Sequence, residues 1–159
     1  MKIIVLIGFL LMSLYAKEAV LPNELLAWKT LSFVGSAKNS GELTDATLTL
    51  DKASYVGLHP TPKIKYVARP MNEGGSVSFG GIFQIEIKES GVYRVVLGNA
   101  SWIDMVKDGK PAQSISHLGG PENSGIRKMV DYNLQSGTYV LQLAAGADSS
   151  TAVLVTKIK

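Results

Sequence analysis

The sequence predicts an all-β fold: an antiparallel β-sandwich, a jelly roll of about nine strands. Three observations point there. Apolar and polar side chains alternate with a period of two through most of the chain after residue 40. Turn signals built on Gly, Pro, Asn and Asp recur roughly every 8–12 residues. Segments with helical periodicity are nearly absent.

Taken in order, residues 17–40 read as a lead-in, and 41–159 as the sandwich domain. Within the lead-in, Leu21-Pro22-Asn23-Glu24-Leu25-Leu26-Ala27-Trp28 suits one helical turn after Pro22, with Leu25, Leu26 and Trp28 covering an end of the core. Lys38-Asn39-Ser40-Gly41 is a turn. Residues 43–50 read as a strand with Leu48 and Leu50 inward. Residues 55–58 suit a short edge segment, because Pro60 and Pro62 cannot donate to a ladder. Residues 63–68 alternate Lys63 and Lys65 with Ile64 and Tyr66.

The second half is clearer. Residues 81–88 put Phe83, Ile85 and Ile87 on one face and Gln84, Glu86 and Lys88 on the other. Strands at 92–97 and 102–106 follow, and Asp108-Gly109 is a hairpin turn signal. Residues 112–117 return, 118–125 form a Gly-rich loop, and 127–134, 138–143 and 151–158 complete the set. Ser90-Gly91-Val92-Tyr93 is echoed by Ser136-Gly137-Thr138-Tyr139, two similar turns whose glycines suit a positive φ and whose tyrosines suit the core edge.

Composition removes several chemistries. There is no cysteine, and the only histidines are His59 and His117. A disulfide framework, a thiolate metal site and a thiol nucleophile are therefore excluded. No Gly-x-Ser-x-Gly elbow, phosphate loop or EF-hand pattern is present.

The N-terminus carries a basic Lys2, an apolar run over 3–14 and a small residue, Ala16, where a signal peptidase could cut. Residues 1–16 are expected to be a signal peptide, placing the mature chain in the periplasm or outside the cell. The run is short for a membrane span, so no stable span is expected after cleavage. Removing it leaves 15 basic against 13 acidic side chains, too even a balance to suggest nucleic acid as a partner.

Five residues are candidates for a ligand-binding site: Trp102, Asp104, His117, Arg127 and Asp131. Trp102 and Asp104 share a strand face, which suits a ligand pair or a carboxylate that holds a turn by accepting backbone hydrogens. Arg127 and Asp131 share a face with Met129. That suits an ion pair, Arg127 with Asp104 or Asp131, or an Arg127 clamp on a ligand carboxylate or phosphate. His117 ends a strand beside a Gly-rich loop and, with His59, is a candidate metal ligand.

The ordered set Gly80-Gly81-Ile82-Phe83, Gly91-Val92-Tyr93-Arg94-Val95, Trp102-Ile103-Asp104, His117 before Gly120-Pro121, Ile126-Arg127-Lys128-Met129-Val130-Asp131 and Gly137-Thr138-Tyr139 resembles a family of small exported bacterial β-rich proteins. Members are often labelled homogentisate 1,2-dioxygenase. That enzyme is a larger cupin with two His and one Glu on iron, and the two histidines here are far apart with no His-x-Glu neighbour. The loop after His117 often carries a second histidine and a cysteine in the family; Gly119 and Asn123 stand there in this chain. The resemblance implies an exported β-sandwich without enzymatic activity; the polar side chains clustered around two strands and the Gly-rich loop suit binding of a small ligand or an envelope partner, and the sequence requires no cofactor. The alternative is a metal-binding protein or metal-dependent oxygenase using His117.

Overall fold

The computed structural model describes residues 17–159. The expected signal peptide at 1–16 lies outside the described residues. Twelve strands are described: β1 (Leu31–Gly35), β2 (Thr47–Leu48), β3 (Ala53–Gly57), β4 (His59–Pro60), β5 (Phe79–Ile87), β6 (Gly91–Leu97), β7 (Trp102–Lys107), β8 (Lys110–Pro111), β9 (Ser114–Leu118), β10 (Lys128–Leu134), β11 (Gly137–Gly146) and β12 (Ser150–Lys157). They form two sheets. One runs β1-β3-β12-β6-β10-β9, the other β2-β5-β11-β7-β8 with β4 beside β5.

The alternation read from the sequence builds the core. Phe83, Ile85 and Ile87 of β5 are fully buried, and with Met105, Leu141 and Leu143 they meet Val95, Leu97, Val130 and Val155 of the first sheet. A second cluster lies beyond the first sheet. There the 3-10 helix Asn23–Lys29 sets Leu25 and Trp28 against Val96, Met129 and Leu154. The Trp28 indole N–H donates to the Ser124 carbonyl at 3.0 Å, which fixes the Gly-rich loop. Leu26, expected on the core, is half exposed. A 3-10 helix eclipses residues three apart, so Leu25 and Trp28 share a side and Leu26 does not.

The sheets are mixed, which corrects the antiparallel expectation. β1 runs parallel to β3, and β2 parallel to β5. The chain leaves the first sheet after β1, visits the second at β2, and returns as β3. This is the crossover connection that parallel pairing needs.

Local chemistry accounts for other departures. Most of 43–50 is not strand: Ser40–Asp45 is a 3-10 helix. The Asn39 carboxamide accepts from the Gly41 N–H at 3.0 Å and the Glu42 carboxylate from the Lys38 N–H at 2.9 Å. These side-chain bonds offer the backbone an alternative to a ladder. Residues 55–58 are not at an edge, because β3 lies between β1 and β12. Residues 64–68 join neither sheet, and the chain bends at Val67 and Ala68.

The Asp108-Gly109 hairpin forms with both residues at positive φ, 50° and 73°, the geometry of a two-residue hairpin turn. Of the two echoed glycines, Gly137 has positive φ, at 138°, and Gly91 is absent from that set. Ser90 joins the two turns: its hydroxyl donates to the Gln135 side chain at 3.0 Å and accepts from the Ser136 N–H at 3.3 Å. Tyr93 and Tyr139 are buried and belong to the main core cluster.

Candidate functional site

The site arises from an interrupted strand edge. β7 pairs with β11 on one side. On the other, β8 covers only Val106 and Lys107. Pro111 has no N–H to extend the ladder, and after Ala112 the chain crosses to the first sheet as β9. The Met105 carbonyl accepts from the Ala112 N–H at 2.7 Å. The next carbonyls along that edge have no strand to pair with. Ile103 accepts instead from the Tyr132 hydroxyl at 3.1 Å, and Ser101 from the Lys128 ammonium at 3.0 Å. Two side chains of β10 thus reach across from the opposite sheet where strand pairing stops.

A cleft of about 300 Å³ lies at this junction, at the lower end for small-molecule sites. Trp102, Asp104, Ser114, His117, Lys128 and Tyr132 contribute to its walls, with Met71 and Arg69 arriving from the segment before β5.

That segment is held down by Gln142, which is fully buried and directly opposite Asp104 in the ladder. Residues directly opposite share a sheet face. The Gln142 carboxamide accepts from the Val67 and Ala68 N–H groups at 2.8 and 3.1 Å and donates to the Ala68 carbonyl at 2.9 Å. The Tyr66 hydroxyl donates to the Leu143 carbonyl at 3.1 Å. It lies against Gly80, where an added Cβ would overlap the hydroxyl. Burial, with Glu73 and Asp104 nearby, pushes the Tyr66 phenol up to about 12.

Asp104 is 9% exposed and accepts one hydrogen bond, from the Trp102 indole N–H at 3.0 Å. Its other oxygen, Oδ2, is buried with no hydrogen-bond partner. Burial pushes its carboxyl above the ordinary value, opposed by the Trp102 indole and the Gln142 amide. The turn-holding role weighed for Asp104 needs backbone donors; the donor found is a side chain. Lys128 is half-buried with its ammonium 5.8 Å from the Trp102 ring centroid, and burial lowers its pKa. Burial, and then Asp104, push the Tyr132 phenol up.

The five candidates divide. Trp102, Asp104 and His117 meet in the cleft. His117 is exposed, with Nε2 3.5 Å from the Ser114 hydroxyl. Arg127 is exposed outside the cleft, and its backbone N–H donates to the Leu97 carbonyl at 2.8 Å. Asp131 lies elsewhere, and its partner is not Arg127. The Arg94 guanidinium donates to both Asp131 oxygens, at 2.7 and 2.9 Å, and the Ser116 hydroxyl adds a bond at 2.9 Å. Arg94 and Asp131 are direct cross-strand partners on β6 and β10, so register decided the pairing. Hydrogen bonds from Arg94 hold the Asp131 carboxyl below its usual value against the effect of burial.

His59 sits on β4 in the other sheet, its Nε2 3.0 Å from the Ser36 carbonyl. Among the described residues no group of three or more His, Asp or Glu is placed to hold a metal ion. The two-His, one-Glu iron set of the dioxygenase therefore does not fit around either histidine. No helix among the described residues is long and apolar enough to cross a membrane.

Sequence reasoning missed Lys128, Tyr132 and Gln142 as site residues. For Lys128 the signal was present: it shares a strand face with Val130 and Tyr132, which are core residues, and a lysine there needs a reason. Compared with known proteins, the chain matches no family model and no curated protein sequence.

Proposed function

We propose that this chain is an exported jelly-roll protein, periplasmic or secreted, that binds a small ligand in the cleft beside β7 without transforming it. The observation that carries the reading is Asp104, a cleft-lining carboxylate whose Oδ2 is buried and meets no donor within hydrogen-bond distance. An unsatisfied buried acceptor is costly to a fold. A ligand donor that reaches it recovers that cost.

The non-catalytic part rests on His117. The Ser114–His117 contact is at the limit of hydrogen-bond length, and no carboxylate bonds the His117 ring among the described residues. The orienting third group of a nucleophile–base pair is thus missing. The resemblance to small exported β-rich proteins supports the same reading. Another hollow, of about 410 Å³ around the β2–β5 pairing, is larger, but no orphaned buried polar atom lies in its walls.

A fragment screen followed by nitrogen-edited NMR tests the proposal. Binding fragments are expected to move the Trp102 indole N–H resonance, and Asp104→Asn is expected to weaken them by about tenfold, the loss of one charge-assisted hydrogen bond. Fragments that bind while leaving the Trp102 signal in place would refute the cleft.

A further inference from the structure

Two cations, Arg69 and Lys128, and one carboxylate, Asp104, line the cleft, and neither Lys128 nor Asp104 has an ionic partner among the described residues. Arg69 is already paired, 3.3 Å from Glu73. Lys128 bonds only a neutral carbonyl, that of Ser101, and forms no salt bridge among the described residues. Asp104 accepts from the Trp102 indole and has the Gln142 amide beside it, and its Oδ2 meets no donor within hydrogen-bond distance. Both groups touch the same side chain. The Lys128 ammonium sits 5.8 Å from the Trp102 ring centroid, and Asp104 Oδ1 lies 3.0 Å from its indole nitrogen. The two charges thus flank one indole in the walls of one cleft. Met71, Ile103 and Val130 add apolar surface to the same walls.

We infer that the cleft recognises a small zwitterion of the amino-acid type, its ammonium on Asp104, its carboxylate on Lys128 and its apolar body against Trp102. This inference rests on the small-ligand reading given above. A desolvated charge is tolerated when paired and hydrogen-bonded, and each charge here lacks what the opposite charge of such a ligand supplies. A neutral ligand would leave Lys128 uncompensated. A simple anion would add its charge beside the Asp104 carboxylate, and a simple cation would do the same beside Lys128. The lowering of the Lys128 pKa by burial agrees with an ammonium that gains from a carboxylate.

The test uses L-phenylalanine with phenethylamine, which lacks the carboxylate, and 3-phenylpropionate, which lacks the ammonium. Each is titrated into the purified protein while the Trp102 indole resonance is followed. L-Phenylalanine is expected to bind at least tenfold more tightly than either analogue. In Lys128→Met its advantage over phenethylamine should vanish, and in Asp104→Asn its advantage over 3-phenylpropionate should vanish. An analogue that binds the wild-type protein as tightly as the amino acid overturns the zwitterion and leaves the cleft standing. So does silence from all three probes while unrelated fragments move the Trp102 signal. If no fragment of any class moves that signal, the small-ligand reading falls as well. The analogue series on the wild-type protein decides the question even if a variant folds poorly.

Discussion

Arg94→Met should lower the unfolding free energy at pH 7 by about 3–5 kcal/mol, the usual penalty for stripping one member from a buried ion pair. Arg94 and Asp131 side chains are 13% and 8% exposed, so water cannot replace the lost guanidinium. Methionine keeps most of the apolar stem, which confines the change to the charge. Removing both charges in Arg94→Met with Asp131→Leu should cost less than Arg94→Met alone, because the only carboxylate then left without Arg94 is the more exposed Glu24, 3.8 Å from the guanidinium. The pH dependence has a definite sign. The folded Asp131 carboxyl is held below its unfolded value. Its contribution is therefore fully present above the unfolded value of about 3.9 and is lost as pH falls through the lower folded value. The gap between wild type and Arg94→Met, read from urea titrations, should narrow below about pH 4.

Phe83→Ala should cost a similar amount, about 3–5 kcal/mol, and lower the melting temperature by on the order of 10 °C. Phe83 is fully buried between the sheets and sits opposite Leu141 in the ladder. Its neighbour Gln84 points to the other face and is only partly buried. Gln84→Ala should shift the urea midpoint by far less, within about 1 kcal/mol. Equal losses for the two variants would contradict the assignment of faces on β5.

These two sites also mark what could be read from the chain alone. Phe83 announced itself, because three apolar residues at period two need only local information. The Arg94–Asp131 pair did not, because it depends on which residue of β10 stands opposite which residue of β6. That register is set by the whole sheet. Strand β1 escaped notice for a different reason: Leu31 and Phe33 are exposed, so its apolar pattern marks no core face. The alternation at 63–68 was real, but its longer-range backbone bonds run to partners outside any ladder, from Lys65 to the Lys38 carbonyl and from Val67 and Ala68 to the Gln142 side chain. Trp102, Asp104 and His117 were legible as candidates because face-sharing and a glycine loop are local signals. Lys128 looked like one more charge in an alternating strand. Its role follows from the end of β8 at Pro111, which leaves the Ser101 carbonyl for it to reach.

The central claim is that Asp104 is kept at a cost to the fold because the cleft uses its free oxygen. Thermal unfolding of Asp104→Asn against wild type, from pH 3.5 to 8, tests this most directly. Burial raises the folded carboxyl of Asp104 above its unfolded value. The folded state then holds its proton more tightly, so wild-type stability falls as pH rises from the unfolded value through the folded one. Asparagine carries no such charge. The account predicts that Asp104→Asn melts higher than wild type at neutral pH and that the advantage closes below about pH 4. A variant that melts lower at neutral pH would make Asp104 a stabilising carboxylate of the sandwich and contradict the claim.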